Sequence, residues 1–301
     1  MTGPRFDGSG VALVTPFDER GVNEAALAEL VQFHHDEGTD ALVICGSTGE
    51  AAAMTADEQY RAAAAAVQAN AGRLPVIVGC GGTDTRQVCH LATQARRAGA
   101  DALLLSAPPY NKPPQRGLIA HFRAVLDAAD LPAILYNVPG RTSVNILPET
   151  IAALAEDARI IGVKEACGDI VQIAELARLL GGRVALYSGN DDQVVPIMSL
   201  GGRGVITVLG NVAPRLTSRM AHAYLDGSRE EATELQLRFL PLIRALFAEP
   251  NPMPVKTAVA WLGFAVGPLR APLCAADPKQ QQVVIDAMQQ LGIEPRLRAL
   301  S

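Results

Sequence analysis

A closed (β/α)8 TIM barrel carrying a C-terminal helical appendage is the architecture this sequence predicts, on three observations. Eight short apolar runs rich in Val, Ile and Leu recur along the first two thirds of the chain. Each stops at polar, Gly or Pro residues and gives way to a longer helical stretch. The runs are continuously apolar rather than alternating, as expected of parallel strands covered on both faces. Eight strand–helix units with all strands parallel close into a barrel of the size usual for that fold, about 200 to 250 residues. An open doubly wound sheet is the competing arrangement, and the eightfold count favours closure.

The strands are expected at Val11 to Thr15, Ala41 to Cys45, Val76 to Gly79, Ala102 to Ser106, Ala133 to Asn137, Ile160 to Lys164, Val184 to Ser188 and Gly204 to Val208. Between them the helix punctuation is legible. Asn23 opens a helix that Gly38 closes, and Thr55 with Glu58, then Asp84 with Gln87, have capping-box spacing. Pro148 suits a first helical position, and Asp169 caps a segment ending at Gly181-Gly182. Asn190 or Asp191 is expected to start another that ends at Gly201-Gly202. Past residue 210 the strand signal ends, and helices are expected at Arg215 to Leu225, Ser228 to Phe247, Val255 to Leu262 and Pro278 to Leu291. The break Glu249-Pro250-Asn251-Pro252-Met253-Pro254 is stiff, because its prolines fix φ and forbid helix. The expected organisation is a barrel over residues 1–214 and a helical region over 215–301 packed on it.

Composition narrows the function classes. The chain has 301 residues, 49% hydrophobic and 19% charged, enough to build a large core without a disulfide or metal staple. A net charge of -5 and no dense Lys/Arg run leave no basic field for nucleic acid or acidic membrane. No stretch of about 18 apolar residues and no signal-peptide core is present, so no membrane passage is expected. Five widely spaced cysteines without a CxxC pair point to reduced thiols and the cytosol. The five histidines fall in helical stretches, so neither a His-based triad nor a clustered metal site is visible. Gly79-Cys80-Gly81-Gly82 lacks the spacings of a nucleotide-phosphate loop, and no cofactor and no metal are expected.

In this fold reactive groups sit where strands end and loops begin. Lys164 stands out there, since only four of the 26 basic residues are lysines and one of them ends an apolar strand. Strand periodicity places it on the same side as Gly162 and Ile160, with Glu165 on the other. If that side is the interior, Gly162 leaves empty space beneath the amine, and desolvation lowers its pKa from about 10.4. A neutral amine is the nucleophile for a carbonyl carbon; a lysine merely paired with a carboxylate is the bland alternative. Tyr136 ends the neighbouring strand, where a phenol can move protons to and from a carbonyl or imine. Ser47 and Tyr110 share the rim and could extend it into a hydroxyl chain. Gly46-Ser47-Thr48-Gly49-Glu50 offers hydroxyls and amides that can converge on a small carboxylate, or is an ordinary tight turn. Arg141 presents a forked donor for a second carboxylate, or lies solvated on the surface.

Gly46-Ser47-Thr48-Gly49-Glu50, Tyr136-Asn137-Val138-Pro139 and Gly162-Val163-Lys164-Glu165-Ala166, in that order, resemble the pyruvate-dependent class I aldolase family that contains dihydrodipicolinate synthase and N-acetylneuraminate lyase. Pro139-Gly140-Arg141-Thr142, Tyr110-Asn111-Lys112-Pro113 and Asn251-Pro252-Met253-Pro254-Val255-Lys256 are similar to the synthase branch, whereas Ser47 is typical of the lyase branch. The resemblance implies a Schiff base between Lys164 and pyruvate, with Tyr136 as general acid/base and Ser47 and Tyr110 completing a proton relay. Thr48 and the following backbone at Gly49 would hold the pyruvate carboxylate, and Arg141 that of aspartate 4-semialdehyde. Gly189 and Ile206 would line the pyruvate site. A cofactor-free homotetramer serving lysine and diaminopimelate biosynthesis is implied. At Ala52, Ala56, Gln59, Thr83, Gln87 and Pro109, lysine-inhibited members carry polar and aromatic ligands, and their replacement here implies insensitivity to lysine. A lyase or dehydratase acting on a sugar-derived 2-keto acid, and a barrel that binds keto acids without turnover, are the alternative readings.

Overall fold

The computed structural model describes residues 5–296; residues 1–4 and 297–301, the outer ends of the two expected regions, lie outside them. Eight parallel strands close into a barrel in the order β1 (Gly8–Ala12), β10 (Gly204–Thr207), β9 (Ala185–Ser188), β8 (Ile160–Glu165), β7 (Ala133–Asn137), β6 (Ala102–Ser106), β5 (Val76–Cys80) and β4 (Ala41–Ile44), which pairs back with β1. A two-stranded hairpin, β2 (Phe17–Asp18) with β3 (Gly21–Val22), follows β1 and was not legible in the sequence. The helices that cover the strands are α1 (Glu24–Asp36), α2 (Ala56–Asn70), α3 (Thr85–Arg97), α4 (Gln115–Ala129), the short α5 (Pro139–Thr142) and α6 (Pro148–Leu154), α7 (Ile170–Leu180), α8 (Val194–Ser199) and α9 (Pro214–Leu225).

Two apolar sets explain the closure. Side chains of one parity, such as Leu42, Leu103, Leu135 and Val163, face the helices and build the main core. Those of the other parity, such as Val43, Ile77, Leu104, Ile134 and Ile206, fill the barrel interior. Burying each contributes about 1.5–3 kcal/mol, and because both faces of every strand are buried the runs carry no polar alternation. At the N-terminal end of the barrel the Phe6 and Tyr187 rings stack with centroids 4.4 Å apart. The Tyr187 hydroxyl donates to the Phe6 carbonyl at 2.7 Å, so the two rings form a floor.

The punctuation holds in part. Asn23 caps α1, Asp169 caps α7, and Thr55 and Glu58 form a reciprocal capping box. Asp84 caps α3 through the Arg86 amide, without reciprocation from Gln87. Neither Asn190 nor Asp191 caps α8. A 3-10 turn over Asp191–Gln193 intervenes, and the Asp191 side chain instead accepts from the amides of Val208 and Leu209, 3.0 and 2.8 Å away across the β10 loop. The first strand lies earlier than its apolar run, at Gly8–Ala12. Its pairing begins at the small residues Gly8-Ser9-Gly10, which carry little hydrophobic signal, continues through Val11 and Ala12, and leaves Leu13 and Val14 beyond it.

α9 packs against β1 as the last helix covering the barrel, and beyond it α10 (Arg229–Leu246) packs against α9 and α8, and α11 (Met253–Trp261) and α12 (Pro278–Gln290) against one another and α10. Among the described residues no helix is long and apolar enough to cross a membrane.

Candidate active site

The strand register assembles the centre. Tyr136 on β7 lies beside Lys164 on β8, which lies beside Tyr187 on β9, all three pointing inward. Lys164 is only 5% exposed, and its Nζ sits 4.4 Å from the centroid of the Tyr136 ring. Burial brings the amine down to about 8, with the Asp191 carboxylate opposing the shift and the Arg141 charge adding to it. At that value about one amine in ten is neutral at pH 7, against roughly four in ten thousand for an unperturbed lysine. Burial pushes the Tyr136 phenol the other way, up to about 12, so it holds its proton at neutral pH.

The pocket departs from what the sequence implied at Gly162. Gly162 does not leave empty space below the amine, because a Cβ there would lie 3.0 Å from the Tyr187 ring and 3.1 Å from the Ala185 carbonyl. The glycine admits the ring that floors the site. Gly189 does the same beside the amine, where a Cβ would lie 3.1 Å from Lys164 Cγ and 2.7 Å from the Ala166 side chain. The Gly189 amide meanwhile donates to the Glu165 carbonyl at 2.7 Å.

Lys164 and Gly189 line an inner cavity of about 80 Å³ that continues into an outer one of about 650 Å³. Ser47, Tyr136, Arg141 and Asn251 line both. Ser47 is exposed to this space and Thr48 is buried, its hydroxyl accepting from Asn251 Nδ2 at 2.9 Å. The turn partly consumes its own amides: Gly49 N–H donates to Gly46 O and Glu50 N–H to Ser47 O. The amides of Ser47 and Thr48 have no partner among the described residues. Arg141, on the one-turn helix α5, reaches back to the Asn251 carbonyl at 3.0 Å. Ile206 is fully buried in the interior beside Gly10.

Tyr110 is placed apart from these groups. It is 86% exposed, in the loop after β6, with a left-handed φ of 68°, and it lines neither cavity. Several residues at the centre escaped sequence reasoning. Asn251 bridges Thr48 and Arg141 from the C-terminal region, and only its place between prolines hinted at a fixed backbone. Phe247, 44% exposed, forms an aromatic wall of the inner cavity with no signal beyond its helix end. Asn137 donates from Nδ2 to both Glu165 oxygens, at 3.0 and 3.1 Å, tying β7 to β8 one residue beyond Tyr136 and Lys164. Burial pushes the Glu165 carboxyl upward, against that bond and the one from the Cys167 amide.

Fold and site together define a (β/α)8 barrel of the enzyme kind, with its polar and titratable groups gathered at the C-terminal ends of the strands. The chain belongs to the dihydrodipicolinate synthetase family, whose model matches residues 5–291. It is 51% identical over 291 residues to a 4-hydroxy-tetrahydrodipicolinate synthase of a Thermoanaerobacter species, covering 96% of this chain and 98% of that one. The crystal structure of dihydrodipicolinate synthase from Aquifex aeolicus superposes with a TM-score of 0.94 at 39% identity, over 97% of this chain and all of the other. The chloride-inhibited dihydrodipicolinate synthase from Acinetobacter baumannii, solved with pyruvate, gives 0.93 at 37% identity, over 96% of this chain and 100% of that one.

Proposed function

We propose that this enzyme, a lyase, is a 4-hydroxy-tetrahydrodipicolinate synthase that condenses pyruvate with L-aspartate 4-semialdehyde in the cytoplasm, on the route to diaminopimelate and lysine. The observation that carries the reading is a buried amine with a pKa of about 8, seated over the ring of a protonated phenol where two strands end. Neutral Lys164 Nζ attacks pyruvate C2, and loss of water leaves the iminium. Its positive charge acidifies the pyruvate methyl group, Tyr136 relays the departing proton, and the enamine carbon adds to the aldehyde while the new alkoxide takes up a proton. The amine of the second substrate then attacks C2, closes the ring and releases Lys164.

Thr48 and the free amides of the turn suit the pyruvate carboxylate, and Arg141, held at the mouth by Asn251, suits the carboxylate of the aldehyde. Ser47 and Gly189 complete the lining, while Gly49 and Ile206 are buried and border neither cavity. Tyr110 would finish the proton relay from a neighbouring copy in a homotetramer, a role consistent with its exposure and its left-handed backbone. Ala52, Gln59, Thr83, Gln87 and Pro109 line the outer cavity where lysine-inhibited members carry polar and aromatic ligands, so millimolar lysine should leave the steady-state rate unchanged.

Borohydride reduction in the presence of pyruvate tests the reading directly. The wild type should gain stable mass on the peptide containing Lys164 and turn over aspartate 4-semialdehyde in preference to sugar-derived 2-keto acids. Mass on another peptide, or none, refutes it.

A further inference from the structure

A second lysine, unused by this mechanism, is buried as deeply as the first. Lys256, on α11, has a side chain 3% exposed and donates from Nζ to Glu50 Oε1 at 2.7 Å and to the Pro268 carbonyl at 2.9 Å. The Glu50 side chain is fully buried, and its second oxygen accepts from the Arg270 amide at 2.8 Å. Lys256 Nζ and the Arg270 guanidinium both lie over the Phe17 ring, 4.4 and 4.0 Å from its centroid. The barrel, the β2–β3 hairpin and the C-terminal region therefore meet at one carboxylate. Glu50 is also the last residue of the 46–50 turn, and it holds a left-handed φ of 56°, a conformation a glutamate keeps only where its surroundings fix it. On its other side the turn is held by Thr15 Oγ1, which donates to the Gly49 carbonyl at 2.7 Å.

We infer that the Lys256–Glu50 ion pair is a positioning device through which the C-terminal region holds the 46–50 turn in the shape that receives the pyruvate carboxylate. The inference deepens the reading of that turn as part of the pyruvate site. Both side chains are buried and bonded to one another, so the pair acts through the backbone that carries Ser47 and Thr48. Asn251, two residues before α11, repeats the connection by its bond to the Thr48 hydroxyl. A substrate turn preorganised from outside the barrel binds its anion without first paying the ordering of the loop, so loss of the pair should act on pyruvate binding rather than on the chemical step.

The test uses E50Q, K256M and the double variant in the full chain, with borohydride trapping followed as a function of pyruvate concentration beside steady-state kinetics and thermal unfolding. Half-saturating pyruvate is expected to rise about tenfold in each single variant, while kcat at saturating pyruvate stays within about threefold and its pH midpoint does not move. In the double variant no lone charge is buried, so the melting temperature should recover while half-saturation stays raised. Half-saturation within about twofold of wild type in folded single variants, or half-saturation that recovers along with melting temperature, overturns the inference. Hydrogen exchange on the wild type covers the case of a variant that does not fold. Trapped pyruvate should slow exchange both at residues 46–51 and along 253–261, and slowing confined to the barrel overturns the inference. A wild type that traps no pyruvate refutes the assignment of Lys164 itself, whereas normal trapping with unchanged half-saturation in E50Q and K256M sinks only the positioning pair.

Discussion

Lys164 and Tyr136 are driven apart in acidity by the same burial, which discourages the cation of one and the anion of the other. The amine is thereby available near neutrality and the phenol keeps a proton to give. The rate of pyruvate adduct formation in the free enzyme should rise with pH through a midpoint of about 8 and level off above it, because the shift makes the reactive neutral amine accumulate as pH increases. A stopped-flow profile that falls across that interval contradicts this. Tyr136→Phe leaves the amine in place and removes the proton carrier. It should lower kcat by roughly 10² to 10⁴ while borohydride still labels Lys164, read by turnover assay and mass spectrometry on the same sample.

At the scale of elements, the strand ends aim these groups and the register fixes their spacing. Gly189, just past the end of β9, is a tight point of that arrangement beside the amine. Gly189→Ala would force a methyl against Lys164 Cγ and the Ala166 side chain, so kcat/KM for pyruvate should fall by about tenfold or more with circular dichroism unchanged. Wild-type kinetics in this variant would show that the lysine is not confined as described. Seven of the eight strands were legible because burial on both faces writes an unbroken apolar run, and Lys164 was legible because a cation ends such a run. The first strand was displaced because Gly8 and Gly10 pair through backbone alone and add no hydrophobicity. Asp191 begins the helical segment as its position suggests, but spacing cannot reveal that its carboxylate will bond two amides seventeen and eighteen residues further along the chain. The part played by Asn251 was hidden for the same reason: its partners, Thr48 and Arg141, are 203 and 110 residues away.

For the whole molecule, stability and assembly carry their own signatures. His34 is buried, bonded through Nδ1 to the Thr39 hydroxyl at 2.9 Å, with Nε2 unpartnered, and burial lowers its pKa to about 3. A histidine held neutral in the fold contributes stability that is fully present above its unfolded pKa of about 6.5 and is lost as pH falls toward the folded value. Its share of the loss should be about 1.4 kcal/mol per pH unit below about 6, seen as a falling denaturant midpoint that His34→Gln flattens. If Tyr110 works in a neighbouring copy, mixing Lys164→Ala with Tyr110→Phe after dissociation and reassembly should restore activity that neither has alone. No recovery in mixed assemblies, verified by sedimentation, would assign Tyr110 no part in the relay.

The stacked Phe6 and Tyr187 rings make the barrel a blind well rather than a tunnel. Traffic is confined to a single mouth, so whatever arrives first lies underneath whatever arrives second, and nothing below can leave while the upper position is occupied. On the proposed reaction, a keto acid joined to Lys164 at the bottom would have to be in place before the aldehyde enters, and the finished ring would have to depart before the next keto acid descends. Such a vessel would set the order of its reactants by its shape alone.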